Sequence, residues 1–306
     1  MKQEIIIQRI TFNQVTKEWL MYIKTKVKES TYLHYKNIVE SKFSKSFGNL
    51  SLKELQNIDF NVYINRLSKK ISPRSIRITL IVLKEILKYA ELKYDVSFKL
   101  ELISLPRIPK KKIEIFDKEE KIKLLNYCLN DNNSKTLGIL ICLYTGLRIG
   151  EICALKWKDI DLDNSLIWVN HTLQRVYLGK NNTKVILTDP KTDSSNRGVP
   201  IALNLSRKLK EEYKLHDKEE YVISCKYKKI IEPANFRYYY KKTLQNCKVE
   251  YKTFHTLRHT FASNCINVGM DIKSLSEILG HANVATTLNI YVHTSIDQKQ
   301  EYLNRL

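Results

Sequence analysis

Apolar side chains recur along the first hundred residues at the three- and four-residue spacing of helices that bury one face. Phe12, Val15, Trp19, Tyr22 and Ile23 share one side of a predicted helix. A second helix is predicted from Ser30 and Thr31 through Tyr32, Tyr35 and Ile38. Ser51-Leu52-Lys53-Glu54 has the spacing of a capping box, in which a serine and a glutamate three residues on satisfy each other's free amides. Ser72-Pro73 opens a further helix, with proline in the first turn and Ile76, Leu80, Leu83, Ile86 and Leu87 as its buried stripe. Four or five short helices of this kind predict a bundle over residues 1–98.

The periodicity breaks over 99–114, where Pro106, Pro109 and the run Lys110-Lys111-Lys112 predict an exposed basic linker. From 115 to 306 the pattern is mixed. Ser165-Leu166-Ile167-Trp168-Val169, Val185-Ile186-Leu187 and Gly198-Val199-Pro200-Ile201 are β-type runs, with a turn at Gly179-Lys180-Asn181-Asn182 between the first two. Helical patterns flank these runs and resume after about Leu203. The expected fold class is mainly α with a small antiparallel sheet: an N-terminal helical bundle, then a C-terminal α+β domain.

Charge adds a partner to this picture. Lysine and arginine number 52 against 32 acids, a net of +20, and residues 1–112 hold 23 basic and 10 acidic side chains, so +13 sits in the first block. Such an excess calls for a polyanion, either nucleic acid or an anionic membrane surface, and gives the linker lysines a role in crossing DNA. The apolar run from Leu137 to Tyr144 is far shorter than the about 18 residues of a membrane span. The N-terminus has an acid at Glu4 and no small-residue cleavage site, so no signal peptide is expected. Six scattered cysteines (Cys128, Cys142, Cys153, Cys225, Cys247, Cys265) form no CxxC pair and no zinc spacing with histidine. They read as small core residues in a reducing compartment, and the expected location is cytoplasmic.

Three segments carry candidate chemistry. In Thr145-Gly146-Leu147-Arg148-Ile149-Gly150-Glu151 a lone arginine follows the end of an apolar helix and has Glu151 close by. A partly buried arginine needs an anion, and phosphate fits its planar fork; a structural Arg–Glu pair explains the same residues. In His255-Thr256-Leu257-Arg258-His259-Thr260, His255 and Arg258 share a helix face from which His259 is expected to point away. A histidine beside an arginine suits a site where a phosphate oxygen gains charge while a proton moves, and equally a capping histidine beside a surface arginine. In the third, Leu279-Gly280-His281 precedes Asn283, a predicted N-cap, and a helix that brings Tyr291 toward His281. Tyr291 is one of eighteen tyrosines. A phenol with a pKa of about 10 is a weak nucleophile that needs positive charge beside it.

Together TGLRIGE, HTLRH and LGHANVATTLNIY resemble the tyrosine recombinase (phage integrase) family, in that family's order and across the whole second block. The first block resembles its helical, SAM-like core-binding domain by pattern and position. The resemblance implies that Arg148, His255, Arg258, His281 and Tyr291 are catalytic, with Tyr291 the nucleophile and Glu151 supporting Arg148. Its catalytic hairpin lysine is matched to Lys191 in Pro190-Lys191-Thr192-Asp193, with Lys180 and Lys184 as rivals. It further implies cleavage and rejoining of double-stranded DNA through a 3'-phosphotyrosine, with no metal, ATP or other cofactor. The arginines would clamp the phosphate, Lys191 would protonate the departing oxygen, and the histidines would position or exchange protons. Residues 115–306 would be the catalytic domain, and four protomers would assemble on two sites as a homotetramer. The tail from Val292 to Leu306 would dock on a neighbour, and an accessory DNA-bending or directionality protein could take part. Helices that begin by about residue 11 leave no room for an added N-terminal domain, which predicts a two-domain Xer-like or mobile-element integrase. A type IB topoisomerase would share the catalytic set, and a non-catalytic DNA-binding protein would share the charge and helices without needing it.

Overall fold

The computed structural model describes residues 7–109, 113–131, 133–179, 182–188, 196–224, 229–291, 300 and 303–304. They belong to two compact units, Met1–Lys111 with Val176–Lys184, and Lys112–Arg175 with Val185–Leu306. The linker residues Lys110, Lys111 and Lys112 lie outside the described residues, as do Lys180, Lys191, Cys225 and the segment 292–299.

In the first unit, α1 (Phe12–Lys24) starts at a capping box in which Thr11 and Gln14 bond reciprocally. α2 (Glu29–Ile38) runs through a π-helical turn, Val39–Phe43, into the short α3 (Ser44–Phe47). α4 (Leu52–Gln56) carries the expected box: the Ser51 amide donates to Glu54 at 2.7 Å, and the Glu54 amide returns to Ser51 Oγ at 3.3 Å. α5 (Phe60–Ser68), capped by Asp59, is a helix the apolar spacing did not single out. α6 (Pro73–Tyr94) begins on the Ser72 cap with proline in its first turn. Phe12, Trp19, Phe43, Phe47, Leu80, Leu83 and Ile86 form the core, and Val96, Phe98 and Ile103 extend it past the last helix. Tyr22 departs from expectation. It is half exposed and packs its ring on Tyr89 instead of entering the core.

The second unit is built round α8 (Ser134–Thr145). Nine of its twelve residues are buried, so it is apolar all round and must be sheathed by other elements. α7 (Lys118–Asn130), α9 (Ile149–Ala154), α10 (Leu203–Tyr213), α11 (Pro233–Asn246) and α12 (Phe254–Asn267) supply the cover. α13 (Ile272–Leu279) and α14 (Val284–Tyr291) follow. Among the described residues there are two small sheets where one was expected. β1 (Ile160–Asp161), β2 (Leu166–Val169) and β5 (Arg197–Pro200) form an antiparallel sheet in the order β1-β2-β5, with Ile167 opposite Val199. β3 (Thr172–Gly179) and β4 (Asn182–Thr188) form a separate hairpin. The predicted turn therefore joins β4 to β3, a strand the sequence pattern missed, and β2 pairs with β5. No helix among the described residues is long and apolar enough to cross a membrane.

Candidate active site

Two glycines at helix ends set the site's geometry. Gly146 closes α8 and Gly280 closes α13, each in the left-handed region, with φ of 67° and 62°. Carbonyls at a helix C-terminus lack intrahelical partners and carry the negative end of the helix dipole, so they attract guanidinium groups. Arg258 Nη1 donates to Gly146 O at 2.8 Å and Nη2 to Leu279 O at 2.7 Å. Arg148 Nη2 donates to Gly280 O at 2.9 Å. Arg258 is thus strapped to the ends of both helices and Arg148 to the end of α13.

Arg148 caps α9, and its amide and Nη1 donate to the Glu151 carboxylate at 2.8 and 2.7 Å. Arg197 approaches the same carboxylate from the start of β5, Nη1 at 3.3 Å and Nη2 at 3.1 Å, while its Nε donates to Ile278 O. Burial pushes the Glu151 carboxyl up, but Arg197 and Arg148 outweigh it and hold it below the ordinary range. Three guanidiniums against one carboxylate leave the centre with a net positive charge, and Arg148 keeps 37% of its side chain exposed. A cavity of about 310 Å³ is lined by Arg148, His255 and Arg258, together with Arg237 from α11. A second, of about 620 Å³, lies across Arg148 and is bordered by Gly280, His281 and Asn283.

His281 lies between Arg258 Nη2, 2.9 Å from its Nε2, and the buried Thr287 hydroxyl, 2.8 Å from its Nδ1. A guanidinium can only donate, so Nε2 is the bare nitrogen and Nδ1 carries the proton. Burial and then Arg258 pull the His281 imidazole down to about 4. His255 falls to about 4 as well, from burial first and then His259, Arg258 and Arg148. Both rings are neutral at pH 7.

Asn283 caps α14 as its position in the sequence predicts, accepting from the Ala285 amide at 2.8 Å. That helix carries Tyr291 to a buried seat against Ala262, Cys265, Leu275 and Leu279. Its hydroxyl lies 2.7 Å from His259 Nδ1. Burial raises the phenol's pKa, and Arg258 and Arg148 counter only part of the rise. Tyr291 is neutral in this state.

The second unit brings Arg148, Glu151, His255, Arg258, His281 and Tyr291 together. The expectation for His259 is overturned. It does not point away from the site but reaches Tyr291, and it lies one helical turn from His255, whose ring meets its own edge-on at 4.5 Å. The face was taken from Arg258, whereas Tyr291 at the end of α14 packs with Ala262, which neighbours His259 at i, i+3 on α12. Arg197 was also missed. A signal existed, because Arg197 stands two residues before the buried Val199 and so shares its inward face on the strand. Lys191 and Lys180 are outside the described residues, and Lys184 is exposed on β4.

The chain is similar to known proteins over most of its length. Residues 114–298 match the phage integrase family, and residues 11–68 match the phage integrase N-terminal SAM-like domain. A tyrosine recombinase XerC-like protein of Caldanaerobacter subterraneus subsp. tengcongensis is 30% identical over 98% of this chain and 83% of its own. The integrase of Staphylococcus phage L54a is 27% identical over 98% and 93%. Among solved structures, the Tn1549 transposon integrase in complex with transposon right end DNA superposes with a TM-score of 0.80 at 22% identity, covering 97% of this chain and 99% of that one. The lambda integrase tetramer bound to a Holliday junction superposes with a TM-score of 0.68 at 14% identity, covering 94% and 81%. These two likenesses show a shared fold. The chain belongs to the phage integrase family and is a site-specific tyrosine recombinase that breaks and rejoins DNA strands.

Proposed function

We propose that Tyr291 is the nucleophile, and that Arg148 and Arg258 bind the scissile phosphodiester's non-bridging oxygens. The observation that carries this is the pair of guanidiniums fixed to the ends of α8 and α13 in the same unit as the Tyr291 hydroxyl. Donors fixed beforehand stabilise the charge of a transition state without reorganising. Tyr291 Oη attacks phosphorus in line, the bond to the 5' oxygen breaks, and a 3'-phosphotyrosine keeps the bond energy for rejoining. Lys191 donates the proton to the departing oxygen. His281 orients Arg258, and Glu151 with Arg197 sets Arg148.

The substrate is double-stranded DNA, and the domain plan is a core-binding domain over 1–98, a basic linker over 99–114 with Lys110, Lys111 and Lys112 on the backbone phosphates, and a catalytic domain over 115–306. The synapse on this reading holds a homotetramer, in keeping with the fold shared with the lambda integrase tetramer bound to a Holliday junction, and a DNA-bending or directionality protein is a further partner. The enzyme works in the cytoplasm. The test is a nicked suicide substrate. Wild type should form a covalent adduct that maps to Tyr291, and Tyr291→Phe should lose it while binding DNA equally well. Absence of an adduct with wild type removes the reading.

A further inference from the structure

We propose that His259 is the general base for Tyr291, taking the phenolic proton on Nδ1 as the hydroxyl attacks and returning it when the strand is rejoined. This rests on the reading of Tyr291 as nucleophile.

A tyrosine that attacks phosphorus must lose a proton, and something within hydrogen-bond reach has to receive it. His259 Nδ1, 2.7 Å away, is the hydrogen-bonding partner of the Tyr291 hydroxyl among the described residues. The other two histidines are poorly placed for the task. His281 is committed at both ring nitrogens, to Arg258 and to Thr287. His255 meets His259 through its ring and makes no hydrogen bond to Tyr291 among the described residues. The contact between His259 and Tyr291 is also well supported. His259 sits in the middle of α12, flanked by the buried Arg258 and Thr260, and Tyr291 is seated in an apolar nest. Both sit on helices, His259 within α12 and Tyr291 at the end of α14.

The protonation state suits a base. Burial and then Arg258 hold the His259 imidazole below its ordinary pKa, so it rests neutral with a lone pair to offer. The neutral phenol then donates to Nδ1, and the ring's own proton stands on Nε2. Transfer in the resting state is uphill, since it would set an imidazolium against Arg258. Two changes reverse that balance when substrate binds. The phosphodiester adds a negative charge beside the arginines, and bond formation from Oη to phosphorus makes the phenolic proton strongly acidic. One bond forms, Oη to phosphorus, and one breaks, phosphorus to the 5' oxygen. The phenolic proton ends on His259 Nδ1, and the 5' oxygen takes its proton from the general acid on the leaving-group side. Tyr291 is thereby kept inert until DNA is in place.

Single-turnover cleavage of a suicide duplex tests this, with an ordinary scissile phosphate and with a 5'-bridging sulfur whose departure needs no proton. The enzymes are wild type, His259→Ala and His259→Asn. Asparagine puts an acceptor oxygen near the position of Nδ1, so it keeps the hydrogen bond but cannot carry the proton away. Both variants should bind the duplex as wild type does and cleave about 10²-fold more slowly or worse, on the oxygen and the sulfur substrate alike. His259→Asn cleaving within a few-fold of wild type overturns the proposal and leaves His259 as a positioning residue. Recovery of His259→Ala on the sulfur substrate also overturns it, by moving His259 to the leaving-group side. Adduct mapping on wild type separates the two readings, because an adduct elsewhere than Tyr291 removes the nucleophile assignment itself.

Discussion

Arg197 grips Glu151 at two points, Nη1 to Oε1 at 3.3 Å and Nη2 to Oε2 at 3.1 Å, with both side chains almost wholly buried. The carboxylate is shared, since its Oε1 also accepts from Arg148. Glu151 therefore joins an interior arginine to the one that faces the cavity.

Removing one member of a buried pair leaves the other charged and uncompensated, at a cost of about 3–5 kcal/mol. Glu151→Ala should lose stability on that scale, read from urea unfolding at neutral pH. Because the folded-state carboxyl titrates below its unfolded value, the contribution is present above the ordinary carboxylate range and is lost as pH falls through the folded pKa. Wild type should accordingly lose more stability than the variant on acidification below about pH 4.

His255 and His281 act in a different window. Each titrates near 4 when folded and near 6.5 when unfolded, so between those values the unfolded chain binds more protons. Stability should be full above pH 6.5 and decline from there toward pH 4. Unfolding free energies of His255→Gln/His281→Gln measured across that range should show a flatter slope than wild type.

Gly280→Ala should damage both stability and cleavage. The residue sits at φ 62°, and a Cβ there would lie 2.8–2.9 Å from the Arg197 guanidinium. The left-handed conformation alone costs a non-glycine residue about 1–2 kcal/mol, and the clash adds to it. Since Gly280 O also accepts from Arg148, suicide-substrate cleavage should fall alongside the unfolding midpoint.

Arg258→Lys keeps the charge but not the fork. One ammonium cannot hold Gly146 O, Leu279 O and His281 in the arrangement a planar guanidinium spans. Cleavage should drop by about 10²- to 10³-fold, the scale set by losing one preorganised donor. DNA affinity measured by gel shift should change far less.

The linker makes a prediction about salt. If Lys110, Lys111 and Lys112 each neutralise a backbone phosphate, replacing all three with alanine should reduce the slope of log affinity against log salt by about 2.7, at roughly 0.9 per phosphate. Cleavage of DNA already bound at saturating protein should be unchanged.

Much of this protein was fixed locally. The capping box at Ser51 and Glu54, the proline after Ser72, the glycine after Leu279 and the cap at Asn283 each act within one turn of a helix, so residue order alone specifies them. The motif residues Arg148, Glu151, His255, Arg258, His281 and Tyr291 were legible for a related reason: short segments with fixed internal spacing hold them. What tertiary structure alone decided are pairings across long stretches of chain. β2 chose β5 over the nearer apolar run at 185–187, Arg197 closed on Glu151, and α14 settled on the side of α12 that shows His259. Each depends on which buried faces fit together, and that is an energy shared among many side chains that no local spacing encodes.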